Sequence, residues 1–281
     1  MIRLEYDSRE EEVMSLAHQG DEREAWLAIA LGNSRLHWAR FEAGAIAAMG
    51  HSPHFRASET RASLAQRQWW SWLRSGMPLI VASVVPQQLQ LLCQFLPETS
   101  PMYSLTTDSL PLQGLYPGFG LDRGLAGLGA GERWGFPVLV VDGGTALTLT
   151  GFDGGRSLVG GAIAPGVALQ SRALWEGTAL PQTHNSQDLG LPSRWALETG
   201  EAIRSGIIYT LLAGVEQFIQ SWYQRFPDSA VVFTGGDGAM LAAGLGQLAP
   251  ELGSDWQVDP EVLFWGMAAI WTHKKTVQNK Q

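Results

Sequence analysis

Two segments of the chain have the composition of a phosphate-binding hairpin. The first runs from Trp26 to Arg40 around the turn Gly32-Asn33-Ser34, and the second runs from Pro137 to Thr150 around the turn Gly143-Gly144-Thr145. In each segment an apolar run is broken by a glycine-containing turn and is followed by a run of strand-like alternation, which predicts a β-hairpin. Because glycine lets backbone N–H groups come close to an anion, both turns are suited to binding phosphate.

The two hairpins are internal repeats of one pattern. Placing Ala30 on Asp142 aligns their turns, and a third glycine turn, Thr234-Gly235-Gly236, follows the apolar run Ala230–Phe233. Taken alone, each turn has a purely structural explanation, because Asp-Gly and Gly-Gly accept the positive φ angles of tight turns. Three such turns after strands favour a site that wraps a nucleoside triphosphate, in which Asp142 could hold a metal ion or an ordered water.

A carboxylate and a guanidinium stand side by side in Gly120-Leu121-Asp122-Arg123, just before an apolar helix. The structural interpretation makes Asp122 a helix N-cap and Arg123 a surface residue. The functional interpretation makes Asp122 a general base for a hydroxyl proton, while Arg123 holds an anionic group of the substrate. The Asp122-Arg123 pair lies at the predicted crossing between two lobes, just after Tyr116, and this position favours the functional interpretation.

The elements that position these residues alternate between strands and helices, which predicts an α/β fold. We expect an N-terminal extension at 1–24, a first lobe at 25–117 and a second lobe at 118–281. The segment 56–75 is typical of one amphipathic surface helix whose three tryptophans, Trp69, Trp70 and Trp72, pack against the lobe.

Composition narrows the class of partner. The net charge is −8, without a cluster of basic residues, so we expect no nucleic-acid binding. The longest apolar stretch, Val262 to Trp271, is about half a membrane span, and no signal peptide is evident, so we expect a cytoplasmic protein that does not enter membranes. The single cysteine, Cys93, is expected to fill a core position, and the six histidines are expected to be ordinary residues without metal-ligand spacing.

Seven motifs, taken in order, resemble those of the type III pantothenate kinases, a family within the actin, Hsp70 and sugar-kinase superfamily. The resemblance covers roughly residues 25–272, and it is specific because the motifs occur jointly. They are Gly32-Asn33-Ser34, Ser83-Val84-Val85-Pro86, Gly120-x-Asp122-Arg123, Asp142-Gly-Gly-Thr-Ala146, Gly160-Gly-Ala-Ile-Ala-Pro-Gly166, Thr199-x-x-Ala-Ile-x-Ser-Gly206 and Thr234-Gly-Gly-Asp237.

The resemblance implies two ribonuclease H-like lobes, each a mixed sheet flanked by helices, and ATP-dependent phosphorylation of the 4′-hydroxyl of pantothenate towards coenzyme A. It also implies Mg²⁺, a monovalent cation (K⁺ or NH₄⁺) and a homodimer. Asp122 would be the general base and Asp142 would support the monovalent cation. The implied pantothenate pocket consists of Tyr116, Gly120, Leu121, Asp122, Arg123 and Thr199. The implied ATP site consists of Gly32, Asn33, Ser34, Gly143, Gly144, Thr145, Thr234, Gly235 and Gly236.

One residue departs from the family pattern. The family's first motif is Asp-x-Gly-Asn-Thr, whereas this chain has Ala30-Leu-Gly-Asn-Ser34, so the carboxylate expected beside Mg²⁺ is absent. ATP could still carry Mg²⁺ into the site, because this ion often takes only one or two carboxylates besides phosphates and waters. A non-catalytic relative that binds ligand or regulates a partner is therefore the alternative. A sugar kinase or phosphatase of the same superfamily is less favoured, because it lacks the Gly-x-Asp-Arg junction.

Overall fold

The computed structural model describes residues 25–96, 101–180, 190–253 and 256–278. The predicted N-terminal extension, 1–24, lies outside the described residues. The described chain divides into two compact units. Unit 1 draws its residues from Met1–Leu110, Gly120–Leu125 and Phe264–Gln281, and unit 2 from Pro111–Phe119 and Ala126–Leu263. The predicted lobe boundary at residue 118 stays a prediction.

Unit 1 contains a five-stranded mixed sheet in the order β3-β2-β1-β4-β5. Strands β1, β2 and β3 form an antiparallel meander, while β4 and β5 add in parallel on the other side of β1. The strands are β1 (Trp26–Leu31), β2 (Leu36–Glu42), β3 (Ala45–Ser52), β4 (Leu79–Ser83) and β5 (Met102–Ser104), and the helices between them are α1 (Arg61–Leu64), α2 (Trp70–Arg74) and α3 (Pro86–Phe95). All six residues of β1 are buried, as expected for a central strand that has helices to pack against.

Unit 2 repeats this topology in a second mixed sheet of order β10-β9-β6-β7-β8. Again the first three strands form an antiparallel meander, and the last two lie parallel to the first. The strands are β6 (Val138–Gly143), β7 (Ala146–Phe152), β8 (Leu158–Pro165), β9 (Ala230–Thr234) and β10 (Gln257–Val258). The repeat seen in the two hairpins therefore extends to the whole strand order.

Five further helices complete the described chain: α4 (Leu121–Trp134), α5 (Val167–Gly177), α6 (Thr199–Arg225), α7 (Gly238–Leu248) and α8 (Val262–Gln278). Within unit 2, α6 supplies the largest share of the core that covers β6 and β9, through buried residues such as Ile207, Leu211 and Val215. The described helices include none with the length and hydropathy needed to cross a membrane.

Two local predictions need correction. The segment 56–75 forms two short helices, α1 and α2, rather than one; nevertheless Trp69 and Trp70 are buried as expected. Cys93 is exposed, so its predicted core position is wrong. Leu92 faces the core instead, and a helix turns its next residue about 100° away from that face.

Candidate active site

The carboxyl ends of β6 and β9 meet at one edge of the sheet of unit 2. The two strands are parallel neighbours, and Asp142 is in register with Thr234. Gly143-Gly144-Thr145 follows the first of these residues and Gly235-Gly236 follows the second. The structure therefore brings together the two glycine turns that the sequence predicts for unit 2, because chains leaving parallel strands emerge at the same edge.

Backbone hydrogen bonds fix these turns against each other. The Asp237 N–H donates to the Gly143 carbonyl at 2.8 Å, and the Gly166 N–H donates to the Thr145 carbonyl at 3.0 Å. The Gly144 N–H donates to the Ala146 carbonyl at 3.1 Å and closes the hairpin. Three separate segments of unit 2 thus form one backbone surface around residues 143–145.

At Gly235 and Gly166 neighbouring atoms of the turns come so close that only glycine fits. Gly235 has φ +79°, and a Cβ there would overlap Asp142 Oδ1 and lie 2.7 Å from the Gly143 carbonyl oxygen. A Cβ on Gly166 would overlap the Gly144 carbonyl oxygen. Gly236 is different, because it is exposed and a Cβ there would meet nothing within 4 Å. The first two glycines let the turns pack, and the third has open space beside it.

Asp237 is a candidate site residue that the sequence prediction left out. It is partly buried at the N-terminus of α7, where its side chain makes no capping hydrogen bond. Burial raises the pKa of its carboxyl above the ordinary value. Its place in the Thr-Gly-Gly-Asp motif was the one available signal.

In unit 1 the first predicted phosphate turn follows β1. The Gly32 N–H donates to the Arg35 carbonyl at 3.1 Å, and the Gly32 carbonyl accepts a hydrogen bond from His54 Nε2 at 2.8 Å. Asn33 and Ser34 are exposed. Asn33 has no hydrogen-bond partner within the described part of the chain, so its backbone N–H is available to an anion.

Ala30 occupies in the first sheet the place that Asp142 occupies in the second. It lies opposite His37 across the hairpin and beside Ala82 on the parallel strand, and it is 7% exposed. Its methyl group offers no oxygen to a metal ion. The described residues also contain no group of three His, Cys, Asp or Glu side chains placed to hold a metal.

Asp122 and Arg123 lie in the first turn of α4 and belong to unit 1. The Arg123 N–H donates to Asp122 Oδ1 at 2.8 Å, while Oδ2 of the same carboxylate has no hydrogen-bond partner among the residues that the structure describes. Arg123 is 8% exposed. A Cβ on Gly120 would come within 2.6 Å of Asp122 Oδ1, so glycine leaves the space that this carboxylate occupies. One oxygen is thus held in place, and the other can accept a proton.

Three predicted pocket residues remain. Leu121, in unit 1, is 6% exposed, and the other two belong to unit 2. Tyr116 is 50% exposed, and its ring packs edge-on to Phe119 with centroids 5.4 Å apart. Thr199 is the first residue of α6 and is exposed. Both side chains are open to a ligand.

Comparison with known proteins decides the family. The family model described as type III pantothenate kinase matches residues 26–221. This chain belongs to the type III pantothenate kinase family. A type III pantothenate kinase from Synechocystis is 44% identical over 257 residues, which cover 91% of this chain and 93% of that one. Another, from Nostoc, is 42% identical over 262 residues and covers 87% of this chain and 94% of its own.

Solved structures confirm the predicted fold class for this type III pantothenate kinase family member. A conserved protein from Campylobacter jejuni, assigned to the Baf family of transcriptional activators, aligns with TM-score 0.59 at 19% identity and covers 89% of this chain and 99% of that one. MreB 5 of Spiroplasma citri, solved with AMPPNP, aligns with TM-score 0.50 at 10% identity over 92% of this chain and 99% of its own. At such identities the likeness concerns the fold alone.

Proposed function

We propose that this protein transfers the γ-phosphoryl group of ATP to the 4′-hydroxyl of pantothenate, the step that commits pantothenate to coenzyme A. Membership of the family supports the reaction. The observation that carries it for this chain is the Asp122 carboxylate, held by one oxygen and open at the other.

Asp122 acts as the general base. Its open oxygen takes the hydroxyl proton of pantothenate as the alkoxide oxygen forms a bond to the γ-phosphorus, and the bond from phosphorus to the ADP oxygen breaks. ADP leaves with the electron pair of that bond, and the proton on Asp122 passes to water afterwards. The Arg123 N–H keeps the carboxylate in one orientation, which is what a proton transfer over a short distance requires.

The nucleotide is held by the glycine turns. In unit 1 the residues Asn33 and Ser34 are exposed beside Gly32, and the Asn33 N–H can donate to a phosphate oxygen. In unit 2 the backbone surface around Gly143-Gly144-Thr145 takes phosphate, and Thr234-Gly235-Gly236 lies next to the nucleoside, where the open face of Gly236 leaves room.

The structure offers different groups to the two cations, the monovalent cation and Mg²⁺. Asp142 presents a carboxylate oxygen over Gly235, near the Gly143 carbonyl oxygen, and we propose that Asp142 supports a monovalent cation, K⁺ or NH₄⁺. Such an ion would neutralise phosphate charge. Mg²⁺ finds no carboxylate at position 30, so we propose that it enters with ATP and keeps waters on its protein side.

Pantothenate carries a carboxylate, and Arg123 is the cation beside the base. We propose that its guanidinium meets this carboxylate, and the family resemblance assigns Tyr116, Gly120, Leu121 and Thr199 to pantothenate binding as well. The substrates are small metabolites, and we place the enzyme in the cytoplasm.

We also propose a homodimer formed through unit 2. Helices α5 and α6 border an apolar groove of about 540 Å³, lined by residues that include Leu169, Ala173 and Ile203. The groove begins one helical turn after Thr199, and Trp175 on α5 is 41% exposed. A second copy would cover this apolar surface. Light scattering tests this interface. Ala173→Glu should give monomers, whereas Gln224→Glu, an exposed change farther along α6, should keep the wild-type mass. A dimer in Ala173→Glu would reject this interface.

A coupled assay with pantothenate, Mg-ATP and K⁺ tests the reaction. K⁺-dependent formation of phosphopantothenate, lost when Na⁺ replaces K⁺, is the expected result. Glucose and N-acetylmannosamine serve as alternative acceptors, and their preferential phosphorylation would favour a sugar kinase. Pantothenate binding by calorimetry without any product would favour a non-catalytic relative and would point to Ala30 as the cause.

A further inference from the structure

The segment that follows β3 crosses the first phosphate turn and places one imidazole on it. We call this segment, residues 53–56, the strap. His54 lies within it, and its Nε2 is 2.8 Å from the Gly32 carbonyl oxygen, a contact between residues 22 positions apart. Because a carbonyl oxygen only accepts, His54 carries its proton on Nε2 in this contact.

The strap is held on both sides of His54 by the side chains of Gln88, on α3, and Arg67, between α1 and α2. Gln88, itself 8% exposed, accepts from the Phe55 N–H at 2.7 Å and donates to the Phe55 carbonyl at 3.2 Å. Arg67 donates to the Pro53 carbonyl at 2.9 Å. A buried glutamine that satisfies both backbone groups of one residue leaves that residue little freedom.

Further contacts stiffen the strap. The Arg67 guanidinium pairs with Glu59 at 2.9 Å, and its central carbon lies 4.9 Å from the centroid of the Phe55 ring, a cation–π contact. Phe55 is 4% exposed and packs edge-on to Trp69. The imidazole of His54 is therefore delivered from a fixed backbone and not from a free loop.

The consequence for the turn follows from peptide geometry. The Gly32 carbonyl and the Asn33 N–H belong to one planar trans peptide group, in which they point in opposite directions. A hydrogen bond that fixes the carbonyl therefore fixes the direction of the N–H. The Gly32 N–H is already engaged with Arg35, and His54 fixes the peptide group that carries the Asn33 N–H.

We propose that His54 is a positioning residue for ATP: by binding the Gly32 carbonyl, it aims the Asn33 N–H at the triphosphate. The proposal rests on the proposed function, in which this turn binds phosphate. His54 itself does not touch the reacting atoms. A donated hydrogen bond to the carbonyl also polarises the peptide and makes the N–H a stronger donor.

Two amide replacements separate the role of the donor from that of the polar side chain. The glutamine amide nitrogen lies where Nε2 of histidine lies, whereas the asparagine amide is too short to reach the Gly32 carbonyl. His54→Asn should weaken binding of AMPPNP about 2- to 12-fold, the effect of losing one ordinary hydrogen bond, and His54→Gln should restore it to within about twofold of wild type. Adenosine affinity and the KM for pantothenate should not change in either variant. His51→Gln, an exposed change three residues earlier in the chain, is the matched control and should behave as wild type.

Calorimetry with AMPPNP and with adenosine measures the two affinities independently of turnover. Equal AMPPNP affinity in wild type and His54→Asn overturns the proposal, and so does an equal loss for AMPPNP and adenosine, since that would indicate a general disturbance. A wild type that binds AMPPNP but forms no phosphopantothenate contradicts the proposed function and leaves the His54 comparison intact. If His54→Asn does not fold in a thermal melt, His54→Leu, which keeps bulk and lacks a donor, replaces it.

Discussion

A methyl group at Gly235 should strongly destabilise the site of unit 2. Its φ of +79° is in the left-handed region, and a Cβ there would overlap Asp142 Oδ1 and lie 2.7 Å from the Gly143 carbonyl oxygen. Gly236, the next residue, has no positive φ, and a methyl group there would have no atom within 4 Å. Gly235→Ala and Gly236→Ala therefore make the same chemical change in adjacent places with opposite expectations.

The magnitude follows from two contributions. A left-handed conformation costs an alanine about 1–2 kcal/mol, and forcing a methyl group into a packed site costs about 1–3 kcal/mol. Gly235→Ala should thus lower the free energy of unfolding by roughly 2–5 kcal/mol, which corresponds to a fall in Tm on the order of 10 °C. Gly236→Ala should stay within about 0.5 kcal/mol of wild type.

Thermal unfolding, followed by circular dichroism, measures the Tm of both variants, and enzyme kinetics provide a second test. Relief of the overlap at Gly235 requires Asp142 to move, so Gly235→Ala should also lose activation by K⁺. Gly236→Ala should keep its Tm but raise the KM for ATP, because its open face is the one proposed to meet the nucleoside. Equal Tm values for the two variants would refute the close approach at Gly235.

Three further perturbations test other parts of the structure. Gly166→Ala would drive a methyl group into the Gly144 carbonyl and should raise the KM for ATP at least about tenfold, whereas Gly177→Ala, with open space around it, should match wild type in the same assay. Burial raises the pKa of Asp237, so protonation of this carboxyl favours folding below the unfolded pKa near 3.9, and that contribution is lost as pH rises through the folded pKa. Asp237→Asn should therefore raise the Tm at pH 7, by an amount that shrinks towards pH 4. An unchanged Tm at pH 7 would argue against this burial. Burial alone would raise the pKa of Glu59, but hydrogen bonds from Arg56 and Arg67 outweigh burial and lower this pKa. Wild type should therefore be more stable than Glu59→Gln, by about 1 kcal/mol or less, above the unfolded pKa near 4.3, and the difference should vanish as pH falls through the folded pKa. A stability difference that persists at pH 3 would contradict the lowered pKa of Glu59.

The sequence predicts the repeated hairpins because the repeat consists of local patterns. Alternating apolar residues and glycine turns specify each hairpin, and the alignment of Ala30 with Asp142 holds in three dimensions, where both residues occupy the same strand position in sheets of the same order. The glycine-rich segment ending at Gly166 indicates either close backbone approach or tight turns, and the structure shows a close approach of Gly166 to Gly144 and Thr145.

Contacts between distant segments leave no such local pattern. His54 is one of six histidines without a recognisable spacing, and nothing local indicates that residue 54 returns to Gly32. Its role depends on the strap, which depends in turn on Gln88 and Arg67 from later elements. Cys93 shows the same limit on a smaller scale, because an apolar stretch on a helix does not indicate which of its residues faces the core.

The most direct test of the proposed reaction compares wild type with Asp122→Asn in the pantothenate kinase assay. Asparagine keeps the size of the side chain and its bond to the Arg123 N–H but cannot take the hydroxyl proton, so kcat should fall about 10²- to 10⁴-fold while ATP affinity and Tm stay close to wild type. Asp108→Asn, an exposed change in unit 1, controls for charge and should retain full turnover. Near-normal turnover in Asp122→Asn would contradict the proposed reaction, because it would remove the general base from the mechanism.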